Sequence, residues 1–189
     1  MPRAALDRDA ARWISTFLEA QAAELGSARN TLLAYGRDLK DFAAWLGRRG
    51  LDFAGAARAD VESYLVGCEA EGLSRATRAR RLSAIRQLYR FAWDEGWRGD
   101  NPAIQIAGPA RAQRLPKVLS VEEVDRLLAA ARSAGRQAPE RLRNTCLMEL
   151  LYATGLRVSE LVSLPVAAAR GDPRMLLVRG KGEKERMVP

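Results

Sequence analysis

The sequence predicts a mainly α-helical chain in two modules, the second closing on a β-hairpin. Three observations carry this. Apolar residues recur at three- and four-residue spacing in four separate stretches of the first hundred residues. A basic, proline- and glycine-bearing stretch then interrupts the periodicity at 102–118. Finally, residues 175–189 hold two short apolar runs about a lysine flanked by glycines. The implied divisions are 1–101, 102–118 and 119–189.

The first helix carries the stripe Trp13, Ile14, Phe17 and Leu18 and ends near Gly26. The second is expected to start at an Asn30 cap and to bury Tyr35, Leu39, Phe42 and Leu46 before Gly50. A short third helix opens at Asp60 and buries Val61, Leu65 and Cys68. Ser74 caps the fourth, whose stripe is Leu82, Ile85, Tyr89 and Trp93. After the linker, Ser120 and Glu123 form a capping box, followed by Val124, Leu127 and Leu128 on the inner side. The next helix runs from about Arg141 and buries Leu142, Cys146, Leu147, Leu150 and Leu151. It breaks at Thr154-Gly155, and a short helix restarts in "LRVSELVSL" before Pro165. "MLLV" and "RMVP" are the hairpin strands, with a turn from Gly180 to Glu183.

Composition narrows the chemistry. There are 31 Lys plus Arg against 23 Asp plus Glu, a formal charge of +8, which suits a polyanionic partner, nucleic acid before membrane. Histidine is absent from the 189 residues, so they hold no Ser-His or Cys-His nucleophile and no His-ligated metal. Cys68 and Cys146 form no CxxC pair and read as buried thiols. No apolar run is long enough to span a bilayer, and the N-terminus lacks a signal core, so a cytoplasmic protein is expected.

Charge is uneven along the first module. Residues 1–74 hold nine basic and eleven acidic side chains, a net of −2. The fourth helix then carries Arg75, Arg78, Arg80, Arg81, Arg86 and Arg90 with no acid among them. Like charges without a balancing acid repel one another, and a phosphate backbone relieves that repulsion. These arginines, with Arg111, Arg114 and Lys117 of the linker and Lys184 after the hairpin turn, are the candidate DNA contacts. An ordinary solvated face is the alternative.

Two further positions invite a chemical reading. Arg157 falls just after the Gly155 break, where the helix restarts. It either pairs with Glu160 three residues on, a contact worth tenths of a kcal/mol, or joins the helix start in holding a phosphate, with Glu160 behind it. Lys181 sits between Gly180 and Gly182, with Lys184 and Arg186 nearby. It is either a solubilising hairpin-tip residue or a cation placed in a groove, able to donate a proton near phosphate.

"YATGLRVSELVSL" followed by "RGKGEKERMVP" resembles the first catalytic box and the hairpin lysine box of tyrosine recombinases, the phage-type integrases, nearest their Xer group. "TLLAYGRDLKDFAAWL" and "RLSAIRQLYRFAWDEG" are similar to the second and fourth helices of the family's SAM-like core-binding domain. "NPA" and "RLPKVLSVEEVDRLL" are similar to its linker and the opening of its α+β catalytic domain. The resemblance implies cleavage of double-stranded DNA by a tyrosine, giving a 3′-phosphotyrosyl link and a free 5′-hydroxyl without metal or cofactor. It implies that Arg157 is the first catalytic arginine, Lys181 the general acid and Glu160 a supporting carboxylate. Two domains would clamp the duplex, and four protomers, identical or related, would join two sites for chromosome dimer resolution or DNA integration.

The family pattern also has an HxxR box, a later His or Trp and a nucleophilic tyrosine after the hairpin, none of which occurs in these residues. Tyr35, Tyr64 and Tyr89 belong to the helical module, and Tyr152 matches a packing position. The segment "PVAAARGDPRM" departs from the acidic stretch usual there. The expectation is therefore an N-terminal portion of a recombinase, unable to cleave alone, whose second strand exposes Met187 and Val188. The alternative is a non-catalytic DNA-binding protein that occupies recombination sites and modulates an intact enzyme.

Overall fold

The structure, a computed structural model, describes residues 8–24, 26–109, 118–170, 174–180 and 185–188. The chain divides into two units, 1–113 and 114–189, each taken by itself below.

The first unit is a bundle of α1 (Arg8–Ala23), α2 (Arg29–Gly47), α3 (Arg58–Ala70) and α4 (Arg75–Asp94). Each contributes an apolar face to one core. Trp13, Ile14 and Phe17 come from α1, and Leu39, Phe42 and Leu46 from α2. Val61, Tyr64 and Cys68 come from α3, and Leu82, Ile85, Leu88, Tyr89 and Ala92 from α4. Phe42 sits centrally, with its ring centroid 4.8 Å from Tyr64 and 5.9 Å from Phe53. Such aromatic pairs add about 0.5–1.5 kcal/mol each beyond the area they bury. Ser74 caps α4 as expected, its hydroxyl accepting the Thr77 N–H at 3.2 Å. Arg98, just past α4, donates from one Nη1 to the carbonyls of Phe53, Ala54 and Ala56 at 2.7–3.0 Å and ties down the loop between α2 and α3.

Two expectations for this unit need correction. Asn30 does not cap α2: the helix begins one residue earlier, and the Ala28 carbonyl accepts from Thr31 and Leu32 with no side-chain cap. Trp93 is not in the core but 56% exposed. Ala84, Leu88 and Ala92 also face inward, which turns the centre of the buried arc away from Trp93. The core is closed at that end by Trp97, 5.0 Å from Trp13 and 5.2 Å from Phe91.

The second unit contains α5 (Val121–Ser133), α6 (Ala138–Thr154), α7 (Val158–Val162), a 3-10 turn (Val166–Arg170), and antiparallel β1 (Leu176–Arg179) and β2 (Glu185–Val188). Ser120 and Glu123 form the expected capping box, with Glu123 N–H to Ser120 Oγ at 3.2 Å and Ser120 N–H to Glu123 Oε2 at 2.8 Å. At the end of α6, Gly155 adopts φ +62° and donates to the Leu151 carbonyl, a left-handed C-cap that glycine occupies without Cβ strain. Its core is Leu156, Leu161, Val178 and Val188, with Leu147, Leu150, Leu151, Leu164 and Leu176 packed around it.

Here too the structure corrects the reading. Leu142 and Cys146 lie on the exposed side of α6, and Tyr152 is 64% exposed where a packing role was expected. The helix is apolar over most of its circumference, so periodicity did not say which side packs. Leu127 is exposed as well. Of the two β2 residues expected to be exposed, Met187 is and Val188 is not, because the strand alternation turns Leu176, Val178, Arg186 and Val188 inward and Leu177 and Met187 outward. No described helix is long and apolar enough to cross a membrane.

Candidate functional site

The arginines of α4 do not form an unbalanced charge run. Three of them meet acids on α2 and α3. Arg78 pairs with Glu69 at 2.8 Å. Arg81, largely covered, donates to Asp41 at 2.5 Å, to the Tyr64 hydroxyl at 2.8 Å and to Cys68 Sγ at 3.3 Å. Arg80 brings Nη1 within 2.8 Å of Asp38 Oδ2, a close charge contact without hydrogen-bond alignment. Burial raises the Asp38 carboxyl above its usual range and outweighs the nearby Arg80 and Arg81. Burial likewise pushes the Tyr64 hydroxyl up, and Asp41 adds to the effect.

Arg86 turns along the bundle instead of outward. Its Nε donates to the Ala103 carbonyl at 3.1 Å and its Nη2 to the Ile106 carbonyl. Arg90 meets Asp94 only at 3.7 Å, both being exposed, and such a pair is worth well under about 1 kcal/mol. Arg75 has no ion pair among the described residues. The helix therefore presents Arg75 and Arg90 freely and Arg80 in part. Arg78, Arg81 and Arg86 are engaged inside the fold.

In the second unit a carboxylate joins two guanidinium groups. Glu160, on α7, is buried with its side chain 5% exposed, beside Leu161 and the hairpin's inner face. Its Oε2 accepts the Arg157 backbone N–H at 2.8 Å. Its Oε1 accepts Arg157 Nη1 at 2.9 Å. Arg186 of β2 approaches end-on, Nη1 to Oε1 at 2.9 Å and Nη2 to Oε2 at 2.8 Å. The Arg186 guanidinium, then the Arg157 backbone N–H, hold the Glu160 carboxyl far below the usual carboxylate range. The Arg157 side chain remains 70% exposed.

The alternatives left open for Arg157 thus combine: the ion pair exists, and it leaves most of the guanidinium facing solvent. The helix start adds little, since α7 has five residues and its dipole is correspondingly small. Sequence reasoning treated Arg186 as nearby charge only. The signal that identifies it is the two-residue alternation that places it on the same inner face as Val188. Lys181 and Lys184, like Arg111, Arg114 and Lys117, lie outside the described residues. Beside Glu160, the 3-10 turn and the outer strand faces border an open concavity of about 780 Å³, lined in part by Ser163, Leu164, Met175, Leu177 and Met187. Among the described residues no cluster of His, Cys, Asp or Glu could hold a metal ion.

The family model for the phage integrase N-terminal SAM-like domain matches residues 14–96, and that of the phage integrase family matches residues 117–189. The chain belongs to the phage integrase family of tyrosine recombinases. Among curated relatives, the tyrosine recombinase XerD of Caulobacter vibrioides is 49% identical over 177 residues, covering 94% of this chain and 57% of the relative. That of Bradyrhizobium diazoefficiens is 51% identical over 186 residues, covering 95% and 58%. The chain thus spans a little over half the length of these relatives.

Solved integrase structures share the fold of this family member. A lambda integrase (75–356) dimer bound to a COC′ core site superposes with TM-score 0.71 at 22% identity, over 95% of this chain and 61% of that one. XerH recombinase bound to difH substrate in a pre-cleavage complex gives 0.69 at 18% identity, over 99% and 67%. The mainly helical architecture, a SAM-like bundle followed by part of an α+β catalytic domain with its hairpin, is therefore established for this chain.

Proposed function

We propose that the whole protein carries out site-specific recombination of double-stranded DNA through a phosphotyrosyl intermediate. Residues 1–101 grip the duplex, the basic part of 102–118 that follows the core residues Ala103 and Ile106 tracks its backbone, and 119–189 supply the first part of the catalytic centre. The observation that carries this reading is Arg157: a guanidinium held by a buried carboxylate yet largely open to solvent. Positioned positive charge where negative charge develops is the main catalytic lever at a transferring phosphoryl group. In this role Arg157 stabilises the pentavalent phosphorus, Glu160 fixes Arg157, and Lys181 protonates the departing 5′ oxygen. Arg75, Arg90 and Arg80 provide phosphate contacts from α4, and the linker cations extend them.

High identity to XerD enzymes supports an Xer-like role in the cytoplasm, with protomers of the same or a related recombinase assembled as a tetramer on two sites. The nucleophile is not among Tyr35, Tyr64 or Tyr89. Tyr64 and Tyr89 are fully buried, and Tyr35 packs against the core with its hydroxyl 3.3 Å from Ser83 Oγ.

A nicked duplex that traps covalent intermediates tests the proposal. In the whole protein, Lys181→Ala is expected to abolish cleavage of an ordinary phosphodiester and to recover on a substrate with sulfur at the 5′ bridging position. Failure of sulfur to rescue removes the acid role. Mobility shift without any adduct in the whole protein favours the non-catalytic, site-occupying alternative.

A further inference from the structure

We infer that Arg186 is a positioning residue: by occupying both oxygens of Glu160, it keeps the Arg157 guanidinium open for a phosphate. This rests on the phosphate-binding reading of Arg157.

The hairpin register directs Arg186 to this contact. Arg186 pairs with Val178 and shares the inner face with Val188, both buried. The Arg186 side chain keeps 38% exposure, and the guanidinium end that turns toward this cluster is stabilised where a carboxylate meets it. Glu160 does so in the end-on geometry that suits the guanidinium fork, with both bonds inside 2.9 Å.

The same contact limits what Arg157 can take. Each Glu160 oxygen already accepts one Arg186 nitrogen, and Oε2 also accepts the Arg157 backbone N–H. Arg157 is left a single side-chain bond, from Nη1 to Oε1. Its Nε and Nη2 have no partner among the described residues. Without Arg186, Glu160 can accept both arms of Arg157, and the donors meant for a ligand fold back onto the protein. Arg186 also ties β2 to α7, so the strand that follows Lys181 is joined directly to the residue behind Arg157.

The test is a double-mutant cycle on the full 189-residue chain, read by duplex-DNA binding over a range of salt and by side-chain NMR of Arg157. Arg157→Met is expected to lower the salt slope by about one, the loss of one phosphate contact. Arg186→Met is expected to lower it equally, and the double variant no further. In DNA-free protein, the Arg157 Nε–H resonance should move in Arg186→Met, with slower solvent exchange as the side chain engages Glu160.

Two outcomes overturn the inference. In one, Arg186→Met keeps the wild-type slope and an unmoved Arg157 resonance; in the other, the slope losses add to about two, which makes Arg186 an independent DNA contact. Should Arg157→Met itself leave the slope unchanged, the phosphate reading fails, and the DNA-free resonance alone decides whether Arg186 positions Arg157. Should Arg186→Met unfold the second unit, Arg186→Lys replaces it. Lysine keeps the charge without the fork, so a partial shift of the Arg157 resonance is expected, and none counts against the inference.

Discussion

Arg86 Nε lies 3.1 Å from the carbonyl oxygen of Ala103, so an arginine of the basic helix holds the chain that leaves the bundle. Its Nη2 makes the second contact, at Ile106. A residue that composition assigns to DNA is committed to the start of the linker. Arg86→Ala is expected to leave the salt dependence of duplex binding near wild type while making the segment after Asn101 more susceptible to limited proteolysis. Arg75→Ala and Arg90→Ala are expected to reduce the salt slope by about one each. A slope loss in Arg86→Ala equal to theirs would contradict the assignment.

Arg81 provides the complementary case. It joins Asp41, the Tyr64 hydroxyl and Cys68, so its removal strips hydrogen bonds to a charged group from a mostly covered site. Arg81→Met is expected to lower the stability of the first unit by about 1–3 kcal/mol without altering the salt slope. All four tryptophans, Trp13, Trp45, Trp93 and Trp97, lie in that unit, so urea unfolding followed by their fluorescence reports it selectively. Phe42→Ala, which empties the centre of the same core, is expected to cost about 3–5 kcal/mol by the same assay.

Gly155 sets the direction in which the chain enters Arg157. Its φ of +62° is costly for any residue with a Cβ, although a Cβ placed there meets no atom within 4 Å. Gly155→Ala is therefore expected to destabilise the second unit by about 1–2 kcal/mol through backbone strain alone, and Gly155→Asn by less. Amide hydrogen exchange across α6 and α7 measures this.

Acid tests the Glu160 pair. Its folded pKa is depressed, so its stabilising effect is complete above the unfolded value of about 4.3. The effect is lost as pH falls from there toward the folded value. Between neutral pH and about pH 5 the pair is expected to be insensitive. Below about pH 4 the second unit of the wild type should lose stability more steeply than that of Glu160→Gln, which has no carboxyl to protonate. Parallel pH profiles would show that Glu160 is not held ionised by Arg186 and Arg157.

The helices were legible because their apolar residues recur at one angular position: Trp13, Phe17, Leu39, Phe42, Leu82 and Ile85 all reach the core. Ser74, Ser120 and Glu123 announced their helix starts through local hydrogen bonding, which depends on near neighbours alone. The partners of Arg78, Arg80 and Arg81 could not be read in this way. Glu69, Asp38 and Asp41 stand on other helices, and only the packing of the bundle brings them close. Cys146 and Tyr152 were misplaced because α6 is apolar on too many sides for spacing to choose one. Arg186 was legible in principle: two residues before Val188 on a short strand, it had to share that residue's inward face.

In the proposed function the open guanidinium of Arg157 meets a DNA phosphate. The most direct measurement is the salt dependence of duplex binding by the 189-residue chain and its Arg157→Met variant, with circular dichroism confirming equal helix content. Weaker binding and a slope reduced by about one are expected in the variant. Equal slopes and equal affinities would contradict it.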